Sequence, residues 1–521
     1  MIENRVADLL AGDIRQVLRG RKVGLEKESL RVAADGGIAQ TAHPAGLGSA
    51  LTHPNITTDY SEALLELVTP PFSNFADTLA YLDDTHRFVY NQLDNELLWA
   101  TSMPCIIDGD PSIRIAEYGS SNAGMMKTIY RRGLGIRYGR MMQAIAGVHF
   151  NYSYPDDFWE LYQSVVDDNR DRQEFINDAY FGMIRNLLRF GWLVPYLFGA
   201  SPAICASFLG TSAPNLKKWQ AYSYYAPYAT SLRVGDIGYQ NSKSGEAGIQ
   251  VDYNSLQGYV DGLKYAISTP YPDYEALGVC KNGAWQQLNG NILQIENEYY
   301  SSVRPKQIPQ GEEKPTLALA KRGIAYIELR SLDVNVYEPL GMTEEHMRFL
   351  ESFLLCSLIT PSPDFVDGDM ANIKYNLNAV AERGRDPGLK LRLDGKEIRL
   401  RDWAHDILDA MLVGCELLDK ETETPIYCSA LQQQRAKITD SDLTPSARVL
   451  SDMADNKEEF AQFALRMSQQ HQQWFAKHAL EPEKQAQFEQ AARDSQQRQK
   501  EIEASDEAPF ATFLENYFAQ T

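Results

Sequence analysis

The run Gly24-Leu25-Glu26-Lys27-Glu28-Ser29-Leu30-Arg31-Val32 constrains this chain more than any other. It reads as a strand, and residues two apart on a strand point to the same face. Glu26 and Glu28 therefore stand side by side, with Lys27 directed to the opposite face. Two like charges on one face are costly unless something positive sits there. On an exposed strand, water meets that need. Inside a fold, a hard divalent cation such as Mg²⁺ is the natural counter-charge, because it prefers oxygen ligands. The pair alone leaves both readings open.

At 521 residues the chain can bury a large core and more than one packed unit. Its 44% hydrophobic and 11% aromatic content is globular rather than disordered. A net charge of −20 argues against a nucleic-acid partner. It does not exclude ATP, since a few local cations and Mg²⁺ can hold a triphosphate in an acidic protein. Cys105, Cys205, Cys280, Cys356, Cys415 and Cys428 form no Cys-x-x-Cys pair. Neither a disulfide framework nor a zinc site is expected, and reduced thiols in a cytoplasmic protein are the default. The opening Met1-Ile2-Glu3-Asn4 carries no signal-peptide pattern. Phe190 to Gly210 is uncharged and long enough to suggest a membrane span. Gly191, Pro195, Gly199 and Pro202 divide it, however, and proline costs about 3 kcal/mol inside a helix. A buried element followed by a bend is expected, with no membrane partner.

Val6, Leu10, Ile14 and Val17 have helical spacing. Strand-like runs follow at Val23–Val32, Leu64–Thr69, Gly147–Tyr154, Leu293–Tyr300 and Ile324–Val334. Between them lie helical stretches at Phe75–Glu96, Arg137–Ile145 and Ala179–Phe190. No run leads into a phosphate loop or a dinucleotide fingerprint, which favours an α+β fold with a largely antiparallel sheet. Past Asp364 helical, charged sequence dominates. Asp402–Leu418 is amphipathic, and Lys457–Ser505 lacks glycine and should break near Pro482. The expected division is a catalytic core over 1–363 and a helical region over 364–521. The boundary is soft enough that the two could form one domain.

Further acids interrupt apolar runs. Glu66 lies between Leu65 and Leu67, where a core strand prefers aliphatic residues, and Asp59 and Glu62 precede it. A buried charge must be paired or bind metal. Glu62 reads equally as an ordinary surface residue. Alternation puts His149 and Asn151 on one strand face, as hydrogen-bonded core residues or as ligands. Tyr326, Glu328 and Arg330 share another face. They read as a salt bridge, or as a metal ligand beside a phosphate-binding guanidinium. Tyr130-Arg131, Arg233 with Tyr239, and Tyr300 with Arg304 and Lys306 add aromatic–cationic pairs. Together these groups suggest an acidic metal floor with a cationic rim, and singly they suggest surface packing.

In this order, GLEKESLRV, SALTHPNITTDYSEALLELVTP, SMPC, YGSSN, IAGVHFNYS, RFGWLVPYLFGASPAIC, PYATSLR, LQIENEYYSSVRPK and IELRSLDVN resemble the glutamate–cysteine ligases of proteobacterial type. The resemblance runs from about residue 23 to 340. It implies a curved, largely antiparallel sheet forming a glutamine synthetase-like funnel surrounded by helices. It also implies a metal floor of Glu26, Glu28, Asp59, Glu66, His149 and Glu328. Arg131 and Arg330 are implied at ATP phosphates, with Arg330, Glu328 and Arg131 as the catalytic set. Tyr130, Tyr239 and Tyr300 are implied around cysteine, and Gln143, Asn151 and Arg233 around glutamate. The implied reaction is ATP-dependent ligation of L-glutamate to L-cysteine through a γ-glutamyl phosphate, with Mg²⁺ or Mn²⁺. A monomer subject to glutathione feedback is implied with it. A glutamate ligase of the same scaffold using another amine, and a catalytically silent binding homologue, are the rival readings.

Overall fold

The structure, a computed structural model, describes residues 14–209, 216–238, 249, 251–420 and 423–520. Of the helical spacing read from Val6 to Val17, Val6 and Leu10 lie outside the described residues. A short helix does run over Ile14–Leu18.

The centre of the fold is one antiparallel sheet. Its strands are β1 (Lys22–Val32), β2 (Ile56–Thr58), β3 (Leu64–Val68), β4 (Leu97–Leu98), β5 (Val148–Ser153), β6 (Val303–Lys306) and β7 (Tyr326–Leu332). Their order is β6-β7-β5-β1-β3-β2, with β4 pairing the far end of β1. The sheet is open, with β6 and β2 at its edges. Register does the positioning. Glu26 lies opposite His149 and Glu28 opposite Glu66. Glu328 lies opposite both Asn151 and Arg304. Because side chains alternate faces, these residues from five strands share one side of the sheet.

Leu25, Leu65, Leu67, Val148, Phe150, Ile327 and Leu329 are buried on the other side. Helix α1 (Phe75–Gln92) packs there against β1 and β3. Asn74 caps it by accepting a hydrogen bond from the Asp77 N–H. Lys27 also points to this side. Its Nζ lies 2.8 Å from His86 Nε2 and 3.2 Å from Ser29 Oγ. A buried acid holds the sheet to the helices: Glu351 takes Arg21 at 2.8 Å and the hydroxyls of Tyr152 and Tyr427 at 2.6 and 2.5 Å. Pairing a buried charge this way offsets the cost of removing it from water.

Two local expectations fail for stated reasons. Leu293–Tyr300 is not a strand but a loop with a 3₁₀ turn at Glu296–Glu298. The buried Glu298 carboxylate draws in Arg137 at 2.9 Å, the Tyr138 hydroxyl at 2.7 Å and the Gln294 N–H at 2.7 Å, which curls the chain. The helix expected over Arg137–Ile145 instead occupies Asn122–Tyr138 (α2). Glycines hid it from a propensity reading. A Cβ at Gly133 would sit 2.1 Å from Gln294 Oε1, so the helix needs glycine for close approach.

The C-terminal helices α3 (Phe460–Ala476) and α4 (Pro482–Ser505) pack on α1, and α5 (Phe510–Phe518) packs on α2. Pro482 occupies the first turn of α4, as expected of a break at that position. Leu193–Phe198 is a short buried helix followed by a bend at Gly199. Among the described residues no helix is long and apolar enough to cross a membrane. The cysteine expectation needs one correction. Cys105 and Cys205, 100 residues apart in sequence, are joined as a disulfide with Cα atoms 5.4 Å apart. Sequence spacing could not reveal a pair that only the tertiary fold brings together.

Candidate active site

A cavity of about 460 Å³ opens over the acidic side of the sheet. That volume suits a substrate-sized ligand. Its floor is lined by Glu26, Glu28, Asp59, Glu66, His149 and Glu328. His149 organises it. Its Nδ1 lies 2.9 Å from Glu26 Oε2 and 3.5 Å from Glu328 Oε1, and its Nε2 lies 3.6 Å from Glu28 Oε1. Glu28 also accepts the Gly147 N–H at 2.6 Å. Asp59 sits in the turn between β2 and β3, where its backbone N–H donates to Leu64 O at 2.9 Å.

The floor carboxylates are not electrostatically alike. Burial pushes Glu66 well above the usual carboxylate range, and Glu26, Asp59 and Glu28 push it further. Burial raises Glu28 too, with His149 opposing. For Glu26 burial is the largest single effect and raises it, but the hydrogen bond from His149, together with electrostatic attraction from His149 and Lys306, brings its carboxyl below the ordinary value. Burial opposes Glu328 as well, but Arg330, Lys306 and His149 hold it well below the ordinary range. Among the described residues Glu66 has neither a hydrogen-bond donor nor an ion pair. Glu26, Glu66 and His149 each offer one donor atom within 4.8 Å of the others. Five of the six floor residues offer carboxylate oxygen, a donor set that suits a hard divalent cation.

Cations border the floor. Arg330 Nη1 donates to Glu328 Oε1 at 2.8 Å, and Lys306 Nζ lies 3.5 Å from Glu328 Oε2. Arg131 Nε donates to the Asp59 carbonyl, and its guanidinium lies 4.7 Å from the centre of the Tyr118 ring. Arg233 Nη2 donates to the Arg330 carbonyl at 3.0 Å. A Cβ at Gly147 would sit 2.0 Å from that same nitrogen, so glycine makes room for Arg233. Buried Asp333 steadies the loop, accepting from Ser231 Oγ at 2.8 Å and lying 3.8 Å from Arg233.

Tyr130, Gln143 and Tyr300 line the same cavity. Asn151 is not part of the lining and instead donates to Glu26 Oε1 at 2.9 Å. Tyr239 lies outside the described residues. Glu62 does not point to solvent. It is buried, and its carboxylate accepts the backbone N–H groups of His43 and Glu117 at 2.8 and 2.9 Å.

The sequence model of the glutamate–cysteine ligase family matches residues 6–380. The chain belongs to the glutamate–cysteine ligase family. It is 47% identical to the glutamate–cysteine ligase of Pseudomonas paraeruginosa over 496 residues, 95% of this chain and 94% of that one. With the enzyme of Alcanivorax borkumensis the identity is 45%, covering 99% of both chains. The crystal structure of the Francisella tularensis glutamate–cysteine ligase in complex with AMP superposes with a TM-score of 0.89 at 35% identity. That match covers 96% of this chain and 97% of that one. A bifunctional glutathione synthetase from Pasteurella multocida matches at a TM-score of 0.72 and 26% identity, over 89% of this chain and 54% of that one.

Several lining residues carry no signal in a one-dimensional reading. Lys127 sits one helical turn before Arg131 on α2 and lines the cavity with it. Phe513 and Tyr517 arrive from the end of the chain. The i, i+4 spacing of Lys127 and Arg131 was the available clue, usable only once α2 is known to be a helix.

Proposed function

We propose that this family member joins the γ-carboxylate of L-glutamate to the amine of L-cysteine, converting ATP to ADP and phosphate and giving γ-glutamylcysteine. The observation that carries the reading is the acidic floor bordered by guanidinium groups within one cavity. The AMP held by the Francisella relative supports nucleotide use in a fold of this kind.

A carboxylate is a poor acyl donor because its oxygen leaves badly. Transfer of the ATP γ-phosphoryl group to a glutamate side-chain oxygen gives an acyl phosphate and releases ADP. The cysteine nitrogen then bonds to the acyl carbon and loses a proton as the carbon–oxygen bond to phosphate breaks. Bringing two anions together is the main obstacle. Two unit charges about 4 Å apart repel by about 4 kcal/mol at an effective dielectric of about 20. Arg330 and Arg131 are assigned to the phosphate oxygens, where a planar fork can follow charge through the transfer. Gln143 and Arg233, which line the cavity, are assigned to glutamate, with Asn151 supporting that side through its hydrogen bond to Glu26, and Tyr130, Tyr239 and Tyr300 are assigned to cysteine.

The donor set fits Mg²⁺ or Mn²⁺, since Glu66 is half-buried on the cavity floor with no ion pair among the described residues. Glu26, Glu28, Asp59, Glu66, His149 and Glu328 would hold it. Bound there, a divalent cation supplies positive charge to the phosphate and carboxylate oxygens. Glutathione contains the whole γ-glutamylcysteine unit and is expected to compete for both amino-acid subsites. The working unit is taken to be a cytoplasmic monomer.

The test is phosphate release with ATP, glutamate and a panel of amines, with the product identified by mass. Cysteine-dependent release with γ-glutamylcysteine as product is expected. Release that ignores cysteine and responds to ammonia would sink the reading.

A further inference from the structure

The turn that carries Asp59 and the helix that carries Arg131 are brought together across 72 residues. The run Tyr118-Gly119-Ser120-Ser121-Asn122 joins them. On the helix side, Ser121 caps α2 by accepting the Gly124 N–H at 3.2 Å. On the other side, the segment before Tyr118 runs along the Asp59 turn. The Glu62 N–H donates to Arg114 O at 2.9 Å, and the Ala116 N–H donates to Tyr60 O at 3.1 Å. Thr128 Oγ1, on α2, donates to Ala116 O at 3.1 Å. Turn and helix are thus stitched to one strip of chain.

Tyr118 sits where the two meet. It is 2% exposed, behind the cavity lining rather than in it. Its hydroxyl lies 2.6 Å from Thr58 O and 2.9 Å from Asp59 O, with one proton shared between the two carbonyls. Arg131 Nε donates to the same Asp59 carbonyl. The ring of Tyr118 meets both cations of α2. The Arg131 guanidinium lies 4.7 Å from its centre and the Lys127 ammonium 5.2 Å. Two like charges one helical turn apart repel, and the negative face of an aromatic ring attracts both. The ring therefore holds the pair together before any phosphate is present.

We propose that Tyr118 is a positioning residue for phosphoryl transfer: its hydroxyl fixes the Asp59 turn of the acidic floor, and its ring fixes Arg131 and Lys127 beside it. This rests on the reading that Asp59 serves a divalent cation and Arg131 the phosphates. Tyr118 acts only through these groups, which border the cavity while it does not. Charges set in advance need less reorganisation as the phosphoryl group moves.

Two variants separate the hydroxyl from the ring. Tyr118→Phe keeps the ring and its volume but loses the hydrogen bond. The Mg²⁺ concentration that gives half of the metal-induced rise in melting temperature should increase about threefold. Its kcat at saturating Mg²⁺ should stay within about twofold of the parent protein. Tyr118→Leu loses both features, so it should show the same Mg²⁺ shift and a kcat about tenfold lower even at saturating Mg²⁺. The KM for ATP should move less than kcat, and the KM values for glutamate and cysteine should stay within about twofold. A purely structural role would move these readouts together in both variants, and that result would overturn the proposal. An unchanged Mg²⁺ half-point in Tyr118→Phe would also overturn it, and that measurement stands even where Tyr118→Leu fails to fold. So would a folded Tyr118→Leu with the kcat of the parent protein. A parent protein that gains no stability from Mg²⁺ and releases no phosphate with ATP and both amino acids would instead overturn the reading beneath the proposal.

Discussion

The Glu66 carboxylate has no hydrogen-bond donor and no ion pair among the described residues, and that isolation has a measurable cost. Its folded pKa lies well above the usual value through burial and through Glu26, Asp59 and Glu28. A carboxyl raised in this way loses stability for the fold as pH rises through its folded pKa, and costs nothing where both states are protonated. Glu66→Gln should therefore raise the melting temperature of metal-free protein at pH 8, and the gain should vanish near pH 4. The same variant should lose most of the stabilisation that Mg²⁺ gives the parent protein. Thermal melts with and without Mg²⁺ check both points. Glu328 is the opposite case, held ionised by Arg330 and Lys306. Glu328→Gln should abolish turnover at low Mg²⁺ and recover in part at high Mg²⁺; near-normal activity at low Mg²⁺ would remove it from the metal set. Arg330→Lys keeps the charge but loses the fork, so it should lower kcat more than it raises the KM for ATP.

Strand β1 carries two chemistries on its two faces. The Glu26 and Glu28 side meets the cavity, and the Lys27 side is buried against α1. Burial brings the Lys27 ammonium down to about 7. Its neighbours stay neutral above that pH. Burial holds His86 well below its usual value, and takes His471 to about 4. A lysine with a depressed folded pKa costs most stability below that pKa, and the cost fades as pH rises toward the unfolded value. The advantage of Lys27→Met over the parent protein should thus fall by about 2 kcal/mol between pH 7 and pH 9, read by urea unfolding. The 3₁₀ turn at Glu296–Glu298 depends in the same way on a buried pair, Arg137 with Glu298 at 2.9 Å. Arg137→Met should cost about 3 kcal/mol by stranding the acid, and Arg137→Met with Glu298→Leu should cost less. Equal losses from the single and double variants would show that the pair does not act as a unit.

At the scale of the molecule, one hydrophobic cluster runs from Leu18 to Phe488 and includes residues of the sheet, α1, α3 and α4. The helices after Asp364 share that cluster with the central sheet, and α3 places Phe475 in stacking contact with His86 at 4.9 Å. Heat should therefore unfold the chain in one transition, with the late helices melting together with the sheet. Two separated calorimetric peaks would show that the late helices form a separate unit. A shared core also places the last helix of the chain at the mouth of a site whose floor begins at residue 26.

Alternation along a strand is a local property, so the sequence alone determined that Glu26 pairs with Glu28, that His149 pairs with Asn151, and that Lys27 faces away. It also placed β1, β3, β5, β7 and α1 within a few residues, because each is a long and strongly patterned run. Register is not local. Only the fold set Glu28 against Glu66 and Glu328 against Asn151, turning separate strands into one floor. Elements ruled by distant partners escaped the sequence for the same reason. α2 hides behind glycines, one of which, Gly133, makes room for Gln294, the Leu293–Tyr300 segment curls around Glu298, and Cys105 meets Cys205 across 100 residues. Phe513 and Tyr517 mean nothing until tertiary packing carries the end of the chain to the cavity, because no local pattern encodes which surface a docked helix will cover.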